Sequence, residues 1–320
     1  MDLFTQLEEV NKQTPLAEIL RPKTLDEFLG QSNVVAPNSP LLNLLKTQRL
    51  FSLILWGTPG CGKTTLARLI ATKVNAQFIE LSAVTSGIKE IKETVEQARQ
   101  ALRSGQKTIL FIDEIHRYSK TQQDALLPHV ENGTIFLIGS TTENPSFQVV
   151  PALLSRVQVI RLNPINDISM GKIVNRGFEY LEKNYQPIQY DEEVTKFIVN
   201  NARGDARCAL NLVENSYFAS NFSNDTRLLS VEILESITQK RNTRYSTQEH
   251  YDCASAFQKS LRGSDADAAI YYLAKMIEAG EDPRFIARRL IVCAAEDVGI
   301  ADPNAMNIAV NAYRAVEIIG

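Results

Sequence analysis

The feature that most restricts the fold of this chain is a glycine-rich loop that ends in a lysine and a threonine. The loop has the sequence GTPGCGKT and spans residues 57–64. An apolar run over residues 53–56 precedes it and predicts a buried strand, whereas Leu66, Leu69 and Ile70 follow it at helical spacing. Glycines allow backbone N–H groups to turn inward around a phosphate, and a helix amino terminus favours an anion. The sequence therefore predicts a phosphate-binding loop.

The residues of this loop also predict what it binds. We expect Lys63 to reach the β and γ phosphates of ATP. We expect the hydroxyl group of Thr64 to coordinate Mg²⁺, an ion that keeps most of its waters and takes few protein ligands. The predicted nucleotide contacts in this part of the chain are Gly57, Thr58, Pro59, Gly60, Cys61, Gly62, Lys63, Thr64 and Thr65.

Apolar and helical segments alternate along the first half of the chain. Ile88, Ile91 and Val95 lie between two of the apolar runs, at spacings that place them on one helix face. Alternation of this kind predicts an α/β fold, specifically a P-loop αβα sandwich with a five-stranded parallel sheet. The five predicted strands are residues 53–56, 77–81, 108–112, 135–139 and 157–162.

The strand pattern stops near Asn166, and helical patterns follow it. A chain of 320 residues is longer than a single core usually holds, so we expect several domains. We predict a nucleotide-binding αβα domain over residues 1–165, an all-helical lid over residues 166–245 and a helical C-terminal domain over residues 246–320. The last helical pattern ends without a polar tail, so we expect the C-terminal domain to be truncated.

Charge and cysteine spacing exclude several other classes of protein. The chain has 34 lysine and arginine residues against 37 aspartate and glutamate residues, so any binding of nucleic acid must be local. The four cysteines are too widely spaced for a zinc ribbon or a tight disulfide framework, which indicates reduced, cytosolic thiols. The amino terminus lacks the pattern of a secretion signal, and we expect no membrane association.

Two adjacent carboxylates, Asp113 and Glu114, follow the third predicted strand. The carboxyl ends of parallel strands form the ligand-binding edge of a sheet, where the glycine-rich loop also lies. We expect Asp113 to hold the Mg²⁺ shell and Glu114 to deprotonate the water that attacks the γ phosphate. A pair of solvated acids is the alternative. The strand over residues 77–81 separates the loop from these acids, which is typical of the additional-strand ATPases.

Polar residues follow the fourth predicted strand at the same edge of the sheet. Thr142 is the candidate sensor of the γ phosphate, and Thr141 or Asn144 could take that role instead. A plain turn after a strand is the remaining alternative. Hydroxyl and amide groups at this edge can hydrogen-bond to phosphate oxygens.

Two arginines have positions that suggest an anionic target. Arg156 precedes the fifth strand and is a candidate arginine finger. Such an arginine would contact the γ phosphate of the ATP that a neighbouring subunit holds. A surface salt bridge is the alternative for Arg156. Arg207 lies in the first turn of a helix that Asp205 would cap, where the helix dipole disfavours a cation. A nucleotide phosphate would explain Arg207, although it could equally face water.

Several segments together resemble the clamp-loader clade of the AAA+ ATPases, and within it the RarA/MgsA family, whose eukaryotic counterpart is the Werner helicase interacting protein. The resemblance spans nearly the whole chain. The segments that carry it are residues 21–28, Gly30-Gln31, residues 113–117, residues 143–147, residues 204–207, residues 250–252, residues 262–265, residues 278–283 and residues 296–299.

The resemblance implies an ATPase that acts at stalled or damaged replication forks, associates with single-strand-binding protein and DNA ends, and assembles as a homo-oligomer, typically a tetramer. It implies that Lys63, Thr64, Asp113 and Glu114 form the Walker motifs, Thr142 is sensor one, Arg156 is the trans-acting finger and Arg207 is sensor two. Arg21, Pro22 and Val34 would border the adenine. Several clamp-loader subunits use asparagine where this chain has Thr142, and the oligomerising C-terminal domain is only partly present.

We therefore predict a Mg²⁺-dependent ATPase that acts on single-stranded, gapped or forked DNA, or on protein complexes there, in replication, recombination and repair. The alternatives are a nucleotide-gated scaffold with little turnover, a clamp-loader subunit and a branch-migration motor. A metabolic kinase is disfavoured because no phosphoacceptor site accompanies the loop. The predicted location is the cytoplasm, at the nucleoid, in a bacterium, or the nucleus in a eukaryote.

DNA contacts are the least determined part of this prediction. Arg284, Arg288 and Arg289 recur at helical spacing near the C-terminus, and Lys240, Arg241 and Arg244 form a second basic group. Either group could contact phosphates. A solvated helix face is the preferred interpretation of each.

Overall fold

The structure is a computed structural model that describes residues 14–37, 39–47, 49–223, 225–238 and 247–319. The chain divides into two compact units, Met1–Ile237 and Thr238–Gly320. The first unit contains the sandwich and the lid, and the second contains the C-terminal helices. The predicted division into three domains at residues 165 and 245 stays a prediction.

The centre of the first unit is a five-stranded, wholly parallel sheet with the strand order β2-β3-β4-β1-β5. Its strands are β1 Leu53–Trp56, β2 Gln77–Ser82, β3 Thr108–Asp113, β4 Phe136–Thr141 and β5 Gln158–Arg161. The central strands are buried on both faces, so their sequences are continuous apolar runs. All five predicted strands are confirmed. Strand β4 lies between β3 and β1, so the carboxyl ends of these three neighbouring strands lie together at one edge of the sheet.

Helices cover both faces of this sheet, whereas the first helix, α1 Leu16–Ile19, precedes the sandwich and packs elsewhere. The others are α2 Ser32–Val35, α3 Pro40–Lys46, α4 Lys63–Lys73, α5 Ile88–Arg103, α6 Lys120–Asp124, α7 Leu127–Glu131, α8 Pro145–Gln148 and α9 Pro151–Leu154, with a 3-10 turn at Ile115–Arg117. The predicted stripe of α5 is buried at Ile91, Val95 and Ala98. Glu90 Oε2 accepts the backbone N–H of Gly87 at 2.7 Å, which fixes the start of that helix.

Among its described residues, the lid contains four helices and, in addition, three short strands that were not predicted from the sequence. The helices are α10 Asp167–Asn184, α11 Glu192–Ala202, α12 Ala206–Ala219 and α13 Val231–Thr238, and the strands are β6 Ile188–Gln189, β7 Asn221–Ser223 and β8 Thr226–Leu228. The strands pair in the order β6-β8-β7. Segments of two or three residues are too short to show the alternation that identifies a strand, so the lid reads as helical from its sequence alone.

The segment before the sandwich packs against the lid. Leu16 in α1 is buried in the core cluster of the lid, together with Phe178 and Tyr217. Its backbone N–H donates to Glu214 Oε2 on α12 at 3.1 Å. These contacts join the segment that precedes the sandwich to the core of the lid.

The second unit is helical. Its elements are α14 Thr247–Arg262, α15 Ala266–Glu278, α16 Pro283–Val292, a π-helical segment Cys293–Val298, a 3-10 turn Gly299–Ala301 and α17 Pro303–Ile319. Its core includes Phe257, Met276 and Ile286. Lys240, Arg241 and Arg244 lie outside the described residues. Within the ranges that the structure describes, no helix has both the length and the apolar character needed to cross a membrane.

Candidate nucleotide site

The glycine-rich loop connects the end of β1 to the start of α4, as predicted from its sequence. Gly60 and Gly62 have φ angles of 64° and 103°, which residues other than glycine rarely adopt. A Cβ atom at Gly62 would lie 2.6 Å from the ring of Phe28, so close packing also requires glycine there. The backbone of the loop is thereby held against the core, with α4 beginning at Lys63.

Lys63 points back into the loop from the first turn of α4. Its Nζ atom donates to the carbonyl oxygens of Gly57 (2.8 Å) and Thr58 (3.0 Å). The residue is only 8% exposed, so its charge is held inside the loop. A cation in this position can neutralise phosphate oxygens that the loop encloses.

A cleft of about 440 Å³ opens beside the loop, between the sandwich and the lid. Its size is in the range of small-molecule sites. Most of the predicted nucleotide contacts line it: Pro59, Gly60, Cys61, Gly62, Lys63, Thr64, Thr65, Arg21, Pro22 and Arg207. Asp113 and Glu114 line it as well, so the loop and both acids meet at one site.

Val34, which was predicted to border the adenine, lies elsewhere. It is buried in the core of the sandwich, in the same cluster as Phe28, because α2 turns its side chain inward. Phe28 lines the cleft instead. Gly57 and Thr58 do not line the cleft, and their carbonyl groups contact Lys63 as described above.

Arg21 lies in the amino-terminal wall of the cleft and is ion-paired with Glu18. Its Nη1 atom also donates to Thr65 Oγ1 at 3.2 Å. The hydrogen bond from Arg21 lowers the pKa of Glu18 against the opposing effect of burial, and the charges of Arg21, Arg68 and Arg207 lower it further. This wall therefore carries an ionised carboxylate as well as cations.

Ser140 orients both acids at the carboxyl ends of the strands. The hydroxyl group of this completely buried residue donates to Asp113 Oδ1 at 2.5 Å and accepts the backbone N–H of Glu114 at 3.2 Å. Glu114 itself has a φ angle of 53°, which is unusual for a residue with a side chain. The sequence did not single out Ser140, because the contact depends on the pairing of β3 with β4.

The carboxylate of Glu114 contacts two further side chains. Thr142 Oγ1 donates to Glu114 Oε2 at 3.4 Å, and His116 Nδ1 lies 3.1 Å from the same oxygen. Of the alternative sensors, Thr141 is buried and its hydroxyl group contacts His116 and Glu143. Asn144 caps α8 by accepting the N–H of Ser146 at 3.0 Å. Thr142 is therefore the candidate in direct contact with the proposed general base.

The lid contacts the loop at the start of α12. Asp205 caps this helix by accepting the N–H of Cys208 at 2.9 Å, and Ala206 N–H donates to Gly60 O at 3.2 Å. Arg207, in the first turn, lines the cleft and has no hydrogen bond or ion pair with the described residues. The predicted helix start and its cap are both present, and Arg207 is available to a ligand.

Two polar lid residues that the sequence analysis missed also line the cleft. They are Arg176 on α10 and Asn211 on α12. Asn211 lies one helical turn beyond Arg207, which places both on one face of α12. No short motif marks Arg176 or Asn211, because only the packing of the lid turns them toward the loop.

Gln31 links the loop to the segment that leads into the lid. Its side chain is completely buried, and Nε2 donates to Cys61 O (3.2 Å) and Asn163 O (2.6 Å). Oε1 accepts the N–H of Asn163 at 3.1 Å. All of these contacts are made to backbone groups, so Gln31 holds the two segments at a set separation. Its position in the segment Gly30-Gln31 was part of the family resemblance, but its partners were not predictable.

Replacement of Gly60 by alanine will weaken ATP binding more than the strain of the left-handed backbone at this position alone would. A methyl group there would lie 1.8 Å from Asp205 Oδ1 and 3.0 Å from Asp205 Cα, so the start of α12 in the lid must move. We expect the dissociation constant for ATP to rise about 10-fold, or about 1.4 kcal/mol, in calorimetric titration.

Gly105 provides a matched control for that substitution. It has a similar φ of 79°, but a Cβ atom there would meet nothing within 4 Å. Gly105→Ala therefore carries only the cost of the left-handed conformation, about 1 to 2 kcal/mol of stability. Equal ATP affinities of the two variants would contradict the role of Gly60 in seating the lid.

Arg156 lies outside the cleft. Its Nε atom donates to Glu131 Oε1 at 2.5 Å, its Nη1 atom donates to Ala152 O at 2.6 Å, and its side chain is 38% exposed. Within its own chain it thus forms the surface salt bridge that was the alternative interpretation. Its position does not allow it to contact the cleft of the same chain, and its role in trans stays a prediction.

The residues at the cleft fit Mg²⁺. Asp113 supplies one carboxylate and Thr64 one hydroxyl group, and both line the cleft. In the described part of the chain, no group of three or more His, Cys, Asp or Glu side chains could hold a metal ion. A site with few protein ligands suits Mg²⁺, because this ion retains water and takes other ligands from substrate phosphates.

Comparisons with known proteins agree with this geometry. Residues 53–165 match the profile of the ATPase family associated with various cellular activities (AAA), and residues 183–262 match the AAA C-terminal domain. Residues 263–320 match the MgsA AAA+ ATPase C-terminal profile. Replication-associated recombination protein A of Escherichia coli K12 is 44% identical over 315 residues, which cover 97% of this chain and 70% of that protein.

The chain belongs to the replication-associated recombination protein A family of AAA+ ATPases.

Other members of this family show the same relationship. An uncharacterised AAA domain-containing protein of Mycobacterium tuberculosis is 46% identical over 308 residues, 96% of this chain and 68% of that protein. The ATPase WRNIP1 of Dictyostelium discoideum is 40% identical over 326 residues, 96% of this chain and 37% of that protein. The family assignment therefore rests on nearly the whole chain.

The fold also matches solved structures of a more distant AAA+ protein. The RuvB Holliday junction branch migration motor of Thermotoga maritima superimposes with a TM-score of 0.56, at 24% identity, over 76% of this chain and 79% of that chain. This likeness confirms the P-loop AAA+ fold and says nothing further about activity.

Proposed function

We propose that this AAA+ ATPase uses Mg²⁺-dependent ATP hydrolysis to act on DNA, or on protein complexes at DNA, in replication, recombination and repair. The observation that carries the proposal is a single cleft lined by Lys63, Thr64, Asp113, Glu114 and the lid residue Arg207. The names of the relatives support the biological setting. The family membership supports the hydrolysis itself.

The chain's own residues have distinct tasks in the reaction. The loop and Lys63 bind the phosphates of ATP, and Thr64 and Asp113 would hold Mg²⁺, which would neutralise phosphate charge. Glu114 accepts a proton from water as the water oxygen forms a bond to the γ phosphorus. The bond from that phosphorus to the oxygen bridging the β phosphate breaks, and ADP leaves with the electron pair.

Two arginines would stabilise the charge that develops on the transferring group. Arg207 reaches it from the lid of the same chain, and Arg156 reaches it from a neighbouring copy in the proposed homo-oligomer, a tetramer. Loss of the γ phosphate removes the contacts that favour the closed lid. The lid can then rotate relative to the sandwich, so hydrolysis is coupled to movement.

DNA is the proposed partner of the assembled protein, together with single-strand-binding protein and other replication or repair proteins. The guanidinium groups of Arg288 and Arg289 lie over the ring of Phe285, at 5.9 Å and 5.1 Å from its centroid. Neither arginine forms an ion pair with the residues that the structure describes. Unpaired cations beside an aromatic ring suit single-stranded nucleic acid, and the solvated helix face is the alternative. The nucleoid or the nucleus is the corresponding location.

The proposal is tested by the rate of ATP hydrolysis in the presence of single-stranded, gapped, forked and fully duplex DNA. We expect a severalfold stimulation by the first three relative to duplex, because the ATPase cycle is coupled to these substrates. Lys63→Ala, which removes the phosphate-binding amine, serves as the background control. Binding of forked DNA with no detectable hydrolysis would favour the nucleotide-gated scaffold. An absence of both binding and stimulation would contradict a DNA substrate.

A further inference from the structure

We propose that His116 is a positioning residue for hydrolysis, which holds one carboxylate oxygen of Glu114 so that the other oxygen faces the attacking water. The inference rests on the proposed role of Glu114 as the general base. His116 lies in the 3-10 turn that follows Glu114 and does not itself line the cleft, so it would act through the carboxylate that does.

The contacts of Glu114 are all made to one of its two oxygens. His116 Nδ1 is 3.1 Å from Oε2, and Thr142 Oγ1 donates to the same atom at 3.4 Å. Oε1 has no hydrogen-bond partner among the residues that the structure describes. The carboxylate is therefore held on one side, and its unbound oxygen is left to accept a proton. General base catalysis depends first on this kind of geometry.

The chemistry of the neighbours assigns the proton to Nδ1 of His116. An ionised carboxylate can only accept hydrogen bonds, so the contact with Oε2 requires an N–H on the ring. Nδ1 is also 2.9 Å from Thr141 Oγ1. That hydroxyl group donates to Glu143 O (3.3 Å) and accepts the N–H of Glu143 (3.0 Å), which leaves it an acceptor toward the ring. Nδ1–H therefore donates to both oxygens.

The backbone brings the histidine ring under the carboxylate. Glu114 adopts the left-handed conformation, with a φ of 53°, and Arg117 N–H donates to Glu114 O at 2.8 Å. This sharp reversal returns the chain, so that His116 faces the side chain of Glu114. Backbone conformations of this kind are uncommon outside glycine and cluster at functional sites. Here the left-handed conformation places the ring of His116 beside the carboxylate of Glu114, the proposed base.

Thr141 connects this arrangement to the phosphate-binding loop. Its carbonyl oxygen accepts the N–H of Gly57, the first loop residue, at 3.2 Å, and its hydroxyl group holds the ring of His116. The side chain of His116 is only 14% exposed, so water does not compete strongly for Nδ1. Through His116 and Thr141, the carboxylate of Glu114 is therefore connected by hydrogen bonds to the loop that would hold the phosphates.

Two substitutions at His116 separate a positioning role from a packing role. His116→Leu removes the donor, whereas His116→Asn keeps an N–H close to the position of Nδ1. We expect His116→Leu to lower kcat for ATP by about 10-fold to 100-fold with an unchanged KM, because the base is misplaced while ATP binding is intact. We expect His116→Asn to recover most of the parental kcat.

The measurements are steady-state ATP hydrolysis with forked DNA, ATP affinity by calorimetry and the thermal unfolding midpoint. His129→Leu is the control, because this histidine lies on α7 and, unlike His116, has no hydrogen bond or ion pair with Glu114. We expect its kcat to equal that of the parent. If His116→Leu does not fold, His116→Phe replaces it, since that variant keeps an aromatic ring without the donor.

The outcomes distinguish this inference from the proposed function. If Glu114→Gln hydrolyses ATP at the parental rate, Glu114 is not the base and the proposed reaction itself is wrong. If Glu114→Gln is inactive but the donor-free His116 variant is as fast as the parent or faster, only the positioning role is overturned. Equal loss of kcat in the leucine and asparagine variants also overturns it, because packing would then explain the effect.

Discussion

Replacement of Glu114 by glutamine will lower the rate of ATP hydrolysis by at least about 100-fold, the usual contribution of a general base. Glutamine keeps the size of the side chain and can still contact Thr142 and His116, but it cannot accept a proton from water. We assign ATP binding to the loop, Lys63 and Arg207 in the proposed reaction, so the affinity for ATP should persist. Single-turnover hydrolysis and calorimetric titration measure these two quantities separately.

Glu143→Gln is the matched control for that substitution. Glu143 follows β4 close to the site, and its backbone groups contact Thr141, but its side chain does not line the cleft. We expect this variant to hydrolyse ATP within about 2-fold of the parent, since surface charge changes of this kind have small effects. Hydrolysis by Glu114→Gln within a few-fold of the parent would show that another group activates the water.

Replacement of Arg156 by alanine will lower hydrolysis in the assembled protein by about 1000-fold, the lower range for an arginine finger. In its own chain Arg156 pairs with Glu131 outside the cleft, so it can act only by leaving that partner for the site of a neighbour. The variant should bind ATP normally and assemble normally. Size-exclusion chromatography with light scattering verifies assembly before the rates are compared.

Mixed oligomers test whether this arginine acts in trans. Subunits with Lys63→Ala keep Arg156, and subunits with Arg156→Ala keep an intact cleft. In an equal random mixture, about one interface in four combines the two intact parts, so hydrolysis should recover to about that fraction. Absence of recovery in an oligomer shown to be mixed would exclude the trans role.

Arg99→Ala provides the control for loss of a surface arginine. Arg99 also pairs with a glutamate, Glu96, at 3.5 Å, and both side chains are exposed on α5. Exposed pairs of this kind contribute about 0 to 1 kcal/mol. If Arg99→Ala hydrolyses ATP normally, the lower hydrolysis rate of Arg156→Ala reflects the position of Arg156 and not the removal of an ion pair in general.

The parts of the site that were predictable are those in which chemistry and conformation are local. The loop at residues 57–64 contains its own glycines, its lysine and the start of its helix, so a short segment is sufficient to indicate phosphate binding. The strands β1 to β5 were predictable for a similar reason, since burial on both faces requires continuous apolar runs.

The parts that were not predictable depend on contacts between distant segments. Val34 and Phe28 are both apolar and close in sequence, and only the orientation of α2 decides that Phe28 lines the cleft. Gln31 reaches Asn163 across 132 positions of the chain. The lid strands β6 to β8 are stabilised by pairing with one another, which no short window of sequence can show.

The sequence by itself determined the family and the class of reaction and predicted the groups that bind phosphate, because these follow from residue types at short spacing. Only the tertiary structure decided that Ser140 orients both acids and that Thr142 and His116 meet on one oxygen of Glu114. Ser140 and Thr142 reach the two acids from the neighbouring strand end, 28 positions away for Thr142 and Glu114. His116 reaches Glu114 through the left-handed turn at Glu114 itself. The register of β3 against β4 brings the residues of the two strand ends together, and a register exists only once the strands have paired.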